Sequence, residues 1–418
     1  MGIQTGTVRA LAPLRFREYR LLIAAVSFSI FATGMWTVVM ALQVMAIDND
    51  PAALSLVAAC LSIGLVMFVL VGGIAADRFP QRTIIIVVES VNTAAVTTIA
   101  ILGLTGTLRL WHMAVAAGAL GIAGAFFFPA YSAYLPRILP EEQLLAANGI
   151  EGVVRPTFQQ AVGPAIAGVI IGATFPTVGA VTVAVLYAVG LTLLIATRPV
   201  RQTDSADKTH AHPLAELRDG FLFMVRTPWL FASLMFASTF VLLVMGPLEV
   251  LLPFITQARF EHGDQTYGLV LAAYGVGGAL GALAVSARPM PRRYLTVMMA
   301  LWGLGNVPMA LIGYTSSFPV MAAAAFLASF TDSAAFVIWG TLLQRRVPSD
   351  MLGRVSSLDF FVSLVFMPVS MALAGPVSKV IPVQTIYLIA GLAPIALALA
   401  AYLGARMSRD ELAHPLTS

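Results

Sequence analysis

With 418 residues, 59% of them hydrophobic and only 11% charged, the chain is too poor in charge for a water-soluble domain, where about a quarter of side chains are ionised. Its single cysteine, Cys60, excludes an internal disulfide and a cysteine metal site. The formal net charge of +4 comes from arginines gathered between particular apolar runs, so it marks topology and not a nucleic-acid partner.

A membrane-crossing helix needs about 20 mostly apolar residues. Twelve such runs follow one another, at 20–46, 52–76, 83–105, 111–135, 150–172, 177–197, 229–257, 266–287, 294–314, 318–343, 356–379 and 383–406. The basic stretch ending at Arg20 leads into a run too long for the apolar core of a cleavable leader, so it reads as the entrance to a first span. Turn chemistry lies between the runs, as in "DNDP" at 48–51 and "EHGDQ" at 261–265. The alternating segments of a membrane barrel are absent, and backbone in lipid must bond within itself, so the expected fold class is an all-α integral membrane protein.

With the N-terminus inside, and Arg155 counted to its loop, every Lys and Arg except Arg109, Arg259 and Lys379 falls in a cytoplasmic segment. That bias predicts a multi-pass protein of the inner (plasma) membrane with both termini in the cytoplasm.

The longest hydrophilic stretch, 198–228, begins "RPVRQTDSADKTHAHP", polar enough for a flexible linker. His210 and His212 have no third ligand nearby and read as solvated. The stretch continues with Leu214, Leu217, Phe221 and Met224 at helical spacing, which predicts a short amphipathic helix on the membrane face. Three parts follow: an N-terminal six-helix bundle over 1–197, the linker over 198–228, and a C-terminal six-helix bundle over 229–418.

The two bundles read as a repeat. A shift of 208 residues pairs Leu135 with Leu343, Arg137 with Arg345, Pro140 with Pro348, Glu142 with Asp350, Glu151 with Asp359, and Gly73 with Gly281. Two pseudo-symmetric six-helix halves are a transporter architecture, with the site expected near mid-membrane at their interface.

Between the second and third runs stands "GGIAADRFPQR" (72–82). It resembles the loop signature of the major facilitator superfamily, G-x-x-x-D-R-x-G-R-R, in Gly73, Asp77, Arg78 and Arg82; Pro80 and Gln81 depart from it. The resemblance covers essentially the whole chain, because the twelve runs, the central linker and the half-chain repeat agree with it. It implies that this cluster is a cytoplasmic gate, with Gly73 allowing close packing and Asp77 latching onto the start of the eleventh run, around Arg354 to Asp359. The counterpart of Asp77 in the second half is Val285, so the latch is one-sided.

In the fifth run, "QQAVGPAIAG" resembles the exporter-associated pattern of the same family in Gly163, Pro164 and Gly168, with Gln159 in place of its first glycine. Small residues there allow close helix approach. An arginine that proton-coupled drug exporters of the family carry in the fourth helix is absent. The segments "YLPRILPEEQLLAANG" and "LLQRRVPSDMLGRVSSL" resemble the branch with siderophore exporters and macrolide-efflux-type pumps.

Ionisable groups inside spans are costly and therefore point to function. Asp332, in "LASFTDSAAF", is the most deeply placed acid, flanked by Ser329, Phe336 and Trp339. Desolvation favours the protonated form of such a carboxyl, which suits proton coupling or a cationic substrate. Glu249, after "MGP" in the seventh run, falls about 30 Å from the inner start and reads as an outer gate acid, the second candidate for coupling or substrate. Glu89 and Arg155 are expected in inner-face charge networks with Glu151 or Arg82. Trp36, Gln43, Phe127, Gln159, Phe336 and Trp339 are the candidate cavity lining, since aromatic walls that repack suit amphiphilic ligands.

No phosphate-binding glycine loop, nucleophile elbow or metal pair is present. The expectation is a non-enzymatic secondary transporter without cofactor or metal, using a proton gradient to export small amphiphilic or drug-like molecules. Its partners would be that substrate and the bilayer, with no nucleic acid, and it would act as a monomer. A nutrient importer is the alternative, though its central runs would carry more amides than Asn92, Gln159, Gln160 and Asn306. A non-transporting scaffold is the remaining one.

Overall fold

The computed structural model describes residues 12–198, 213–348 and 351–416. Within them the side chains at 77, 141, 145, 149, 213–217, 219, 352–354 and 357 are not described. His210, His212, Asp350 and the polar start of the linker therefore lie outside the described residues, as do the side chains of Asp77, Leu214, Leu217 and Arg354.

The described chain is helical throughout, with no strand among the described residues. The spans are α1 (Arg17–Ile47), α2 (Pro51–Arg78), α3 (Gln81–Leu104), α4 (Leu110–Ile138), α5 (141–173), α6 (Pro176–Ile195), α7 (Pro228–Arg259), α8 (Gly263–Ser286), α9 (Tyr294–Ile312), α10 (Phe318–Arg346), α11 (352–378) and α12 (Val383–Gly404). Eleven of these contain a stretch long and apolar enough to cross a membrane. The other, α5, passes from an α-helical start through a π turn at Pro156–Val162 into Gly163–Ala173. Two short helices are added: Pro213–Arg226 before α7 and Met407–Ala413 after α12. In the first, the expected apolar face is divided, with Met224 1% exposed and Phe221 50% exposed.

Local chemistry sets the boundaries. Asp50 caps α2 by accepting from the Ala52 N–H at 2.9 Å, and Pro51 occupies the first turn, where no amide bond is lost. In α5, Pro164 has no N–H to give, and the Gly163 amide reaches back five residues to the Phe158 carbonyl, the signature of a π turn. A second π turn, Pro247–Leu251, interrupts α7 directly after Gly246.

The chain forms two compact units, Met1–Asp204 with Glu261–Ala272, and Ser205–Phe260 with Ala273–Ser418. Lipid tails are as apolar as leucine, so helix association rests on close packing and hydrogen bonds. In the first unit Gly64 and Gly121 sit against α4 and α2 backbone respectively, and Gly72 against the Ala125 carbonyl. In the second, Gly277 and Gly281 meet the carbonyls of Phe326 and Phe330. A glycine against a facing carbonyl is thus one device used twice, α2 on α4 and α8 on α10.

Gly73 was expected to be the packing glycine of its loop. A methyl there would meet nothing within 4 Å, and the neighbouring Gly72 makes the close contact instead. A helix advances about 100° per residue, so adjacent positions face different surroundings.

Candidate functional site

Two groups of polar side chains lie among the spans, one in each unit. The first surrounds a cavity of about 230 Å³ to which all of α1–α6 contribute. Its apolar walls include Trp36, Leu61, Leu65, Phe127 and Phe128, and its polar lining includes Ser29, Thr33, Glu89, Asn92, Arg155, Gln159 and Tyr187. Of the expected lining residues, Trp36, Phe127 and Gln159 are therefore brought together. Gln43 is not: it is buried where α1 meets α6, accepting from the Thr177 hydroxyl at 3.3 Å.

Glu89 is the acid of this cavity and is only 1% exposed. It belongs to none of the charge networks expected for it. Arg82 is engaged elsewhere, and Arg155 pairs with Glu151 at 2.6 Å while its guanidinium lies 4.5 Å from the centre of the Phe128 ring. Ser29 and Asn92 are the polar side chains beside the Glu89 carboxyl. The signal was present in the chain: Ile85, Glu89, Asn92 and Val96 recur at helical spacing, placing Glu89 on the buried stripe of α3. Counting distance from the helix end alone concealed it.

Helices α1 and α5 meet beside the cavity at Gly34. A methyl on Gly34 would stand 2.5 Å from the Gln159 carbonyl, and one on Gly163 would stand 2.9 Å from Gly34. The π turn at Pro156–Val162 coincides with this crossing and carries Gln159 to the cavity. Farther along α5, Gly168 faces Gly268 of the same unit, and a methyl on Gly268 would stand 2.5 Å from the Pro164 carbonyl. Gly163, Pro164 and Gly168 act as a packing set.

The second group lies in the other unit. Asp332 is at the centre of α10, fourteen residues from either end. The Trp302 indole stands beside its carboxyl, and Tyr274 lies within electrostatic reach of both Asp332 and Glu249. Glu249 sits in the π turn, partly buried, with ten residues of α7 still to follow.

Trp339 is buried and donates to Asp359 at 3.2 Å; Ser363 donates to the other carboxylate oxygen at 3.3 Å. The Trp302 and Trp339 rings lie 6.2 Å apart, so an aromatic pair separates the two acids. Phe336, one turn beyond Asp332, is 65% exposed and lines no described cavity.

The gate residues divide. Arg78 is exposed. Arg82 donates to the Thr197 hydroxyl at 2.9 Å, the Thr197 carbonyl at 2.8 Å and the Ile195 carbonyl at 3.0 Å, closing the end of α6. Asp359, expected in the latch, is held by Trp339 and Ser363.

Residues 23–365 match the model of the Major Facilitator Superfamily. The chain belongs to the major facilitator superfamily. It is 28% identical over 373 residues to the multidrug efflux pump Tap of Mycolicibacterium fortuitum, covering 86% of this chain and 88% of that one. It is 22% identical over 331 residues to macrolide efflux protein A of Streptococcus pyogenes, covering 78% and 81%. Among solved structures, the nucleoside transporter NupG superposes with a TM-score of 0.72 at 12% identity, covering 93% of this chain and 98% of that one, a likeness of fold. This facilitator is a membrane transporter with the helical fold of its family, and its relatives include multidrug and macrolide efflux pumps.

Proposed function

We propose that this transporter exports small amphiphilic or drug-like molecules from the cytoplasm, by alternating access of its halves in exchange for protons. The observation that carries this reading is the cavity of the first unit. Its walls are aromatic and aliphatic, its polar groups are few, and a pocket of that kind suits ligands that are mostly apolar with one or two anchoring groups. The efflux functions in the names of two relatives support the direction. Asp332 is the proposed coupling acid because it stands at mid-span beside Trp302 and Tyr274, where a carboxyl is costly unless it is used. Both termini are assigned to the cytoplasm on the arginine bias.

Proteoliposomes carrying a pH-sensitive dye test the reading. A panel that includes macrolides and lipophilic amines should drive substrate-dependent proton flux. Asp332→Asn should abolish that flux while leaving substrate counterflow in place. Flux that survives the substitution would remove Asp332 from coupling, and absence of flux with every compound would remove the exporter reading.

A further inference from the structure

Three residues of the first unit's cavity lining carry a buried polar atom without a partner in ordinary hydrogen-bond geometry: Glu89 Oε2, Ser29 Oγ and Trp36 Nε1. Buried polar atoms are normally satisfied, and leaving one unsatisfied costs about 1–3 kcal/mol. The three differ in kind: an indole N–H only donates, an ionised carboxylate only accepts, and a hydroxyl does both. Ser29 and Asn92 beside the Glu89 carboxyl are neutral, so a ligand that answers its charge brings a cationic donor, and one that completes Trp36 brings an acceptor.

Charge narrows the class. The cavity's cation, Arg155, already holds Glu151 at 2.6 Å and lies over Phe128. Tyr187 is engaged with the Thr33 hydroxyl at 3.0 Å. Glu89 is left as the carboxyl that no cation in the lining answers. A positively charged donor fits it, and the faces of Trp36 and Phe127 favour both an aromatic body and a cation.

We infer that this cavity binds an aromatic amine bearing a hydrogen-bonding oxygen near its ammonium group, with the ammonium on Glu89 and the oxygen accepting from the Trp36 N–H. The inference deepens the exporter reading, resting on it only for the ligand's movement. Binding to the purified protein is measured without transport, so the two can fail separately.

Propranolol has the required ring, oxygens and secondary ammonium; propranolol glycol replaces the amine by a hydroxyl and is neutral. Equilibrium binding of each is measured on the full chain in lipid nanodiscs, with empty nanodiscs subtracted. The wild type should prefer propranolol. Glu89→Gln, which keeps shape and removes charge, should lower propranolol affinity about tenfold or more while changing glycol binding by less than about twofold. Trp36→Phe should weaken both ligands, because both offer the oxygen. The inference is overturned if the wild type binds the two equally or binds neither, if Glu89→Gln binds propranolol as the wild type does, or if Trp36→Phe changes neither. Loss of amine preference in Asp332→Asn but not in Glu89→Gln would place the amine at the other acid group and equally overturn it.

Discussion

Gly72 lies against the Ala125 carbonyl where α2 crosses α4, while Gly73 beside it faces open space. The obstacle at Gly72 is backbone, which cannot rotate away as a side chain would. Gly72→Ala should therefore destabilise the protein by about 1–3 kcal/mol through a forced helix shift. Gly73→Ala should be neutral or slightly stabilising, by up to about 1 kcal/mol, since alanine is the better helix former. Thermal unfolding of both variants in one detergent checks the contrast, and equal losses would contradict it.

Arg82 should act on stability through α6. Its three acceptors all belong to Ile195, the last residue of that helix, and Thr197 just beyond it. Arg82→Ala should cost about 1.5–3 kcal/mol, the range for hydrogen bonds to a charged group. Arg82→Lys should recover less than half of the loss, because an ammonium on a flexible stem does not reproduce a planar fork of donors. A melting temperature unchanged in Arg82→Ala would show that these bonds do not hold α6.

The helix Met407–Ala413 is docked by Glu411. Its Oε2 accepts from the Leu295 and Thr296 amides at 3.0 and 3.1 Å, and its Oε1 accepts from the Thr296 hydroxyl at 2.5 Å. A carboxylate on the unsatisfied amides at the start of a helix is a favourable cap worth about 1–2 kcal/mol. Glu411→Ala should lower stability by that amount and accelerate hydrogen exchange at the amides of 295 and 296 specifically. Exchange that speeds up evenly along α9 would indicate a different role.

Tyr274 lies within electrostatic reach of both Glu249 and Asp332. If they serve one site, their substitutions should not add. Glu249→Gln and Asp332→Asn should each reduce proton-coupled flux by about tenfold or more, and the pair together should do little worse than the stronger single. Two independent losses that multiply would separate the acids into different sites.

Much of this was readable from the chain. Twelve apolar runs with arginines massed on one side left few alternatives to a helical transporter, and the 208-residue shift pointed to two related halves. Asp332 was legible because a lone acid in the middle of an apolar run stands out without knowledge of its neighbours. Glu249 was legible for the same reason, but the π turn around it was not, since backbone bonding of that kind leaves no mark in hydropathy. Gln43 and Phe336 were assigned to a cavity on residue type alone, and type does not say which way a helix faces. Glu89 was assigned to an inner-face charge network, although its spacing with Ile85 and Val96 placed it on the buried stripe.

The sequence by itself determined the helical class, the number of runs and the scarcity of buried charge, because hydropathy acts on each segment separately and lipid admits only helices with internally satisfied backbone. Only the tertiary structure decided which glycine carries a crossing, which arginine closes a helix, and which acid faces a cavity. Those properties depend on the rotation of one helix against another, and a rotation of 100° per residue turns a neighbour in the chain into a stranger in space.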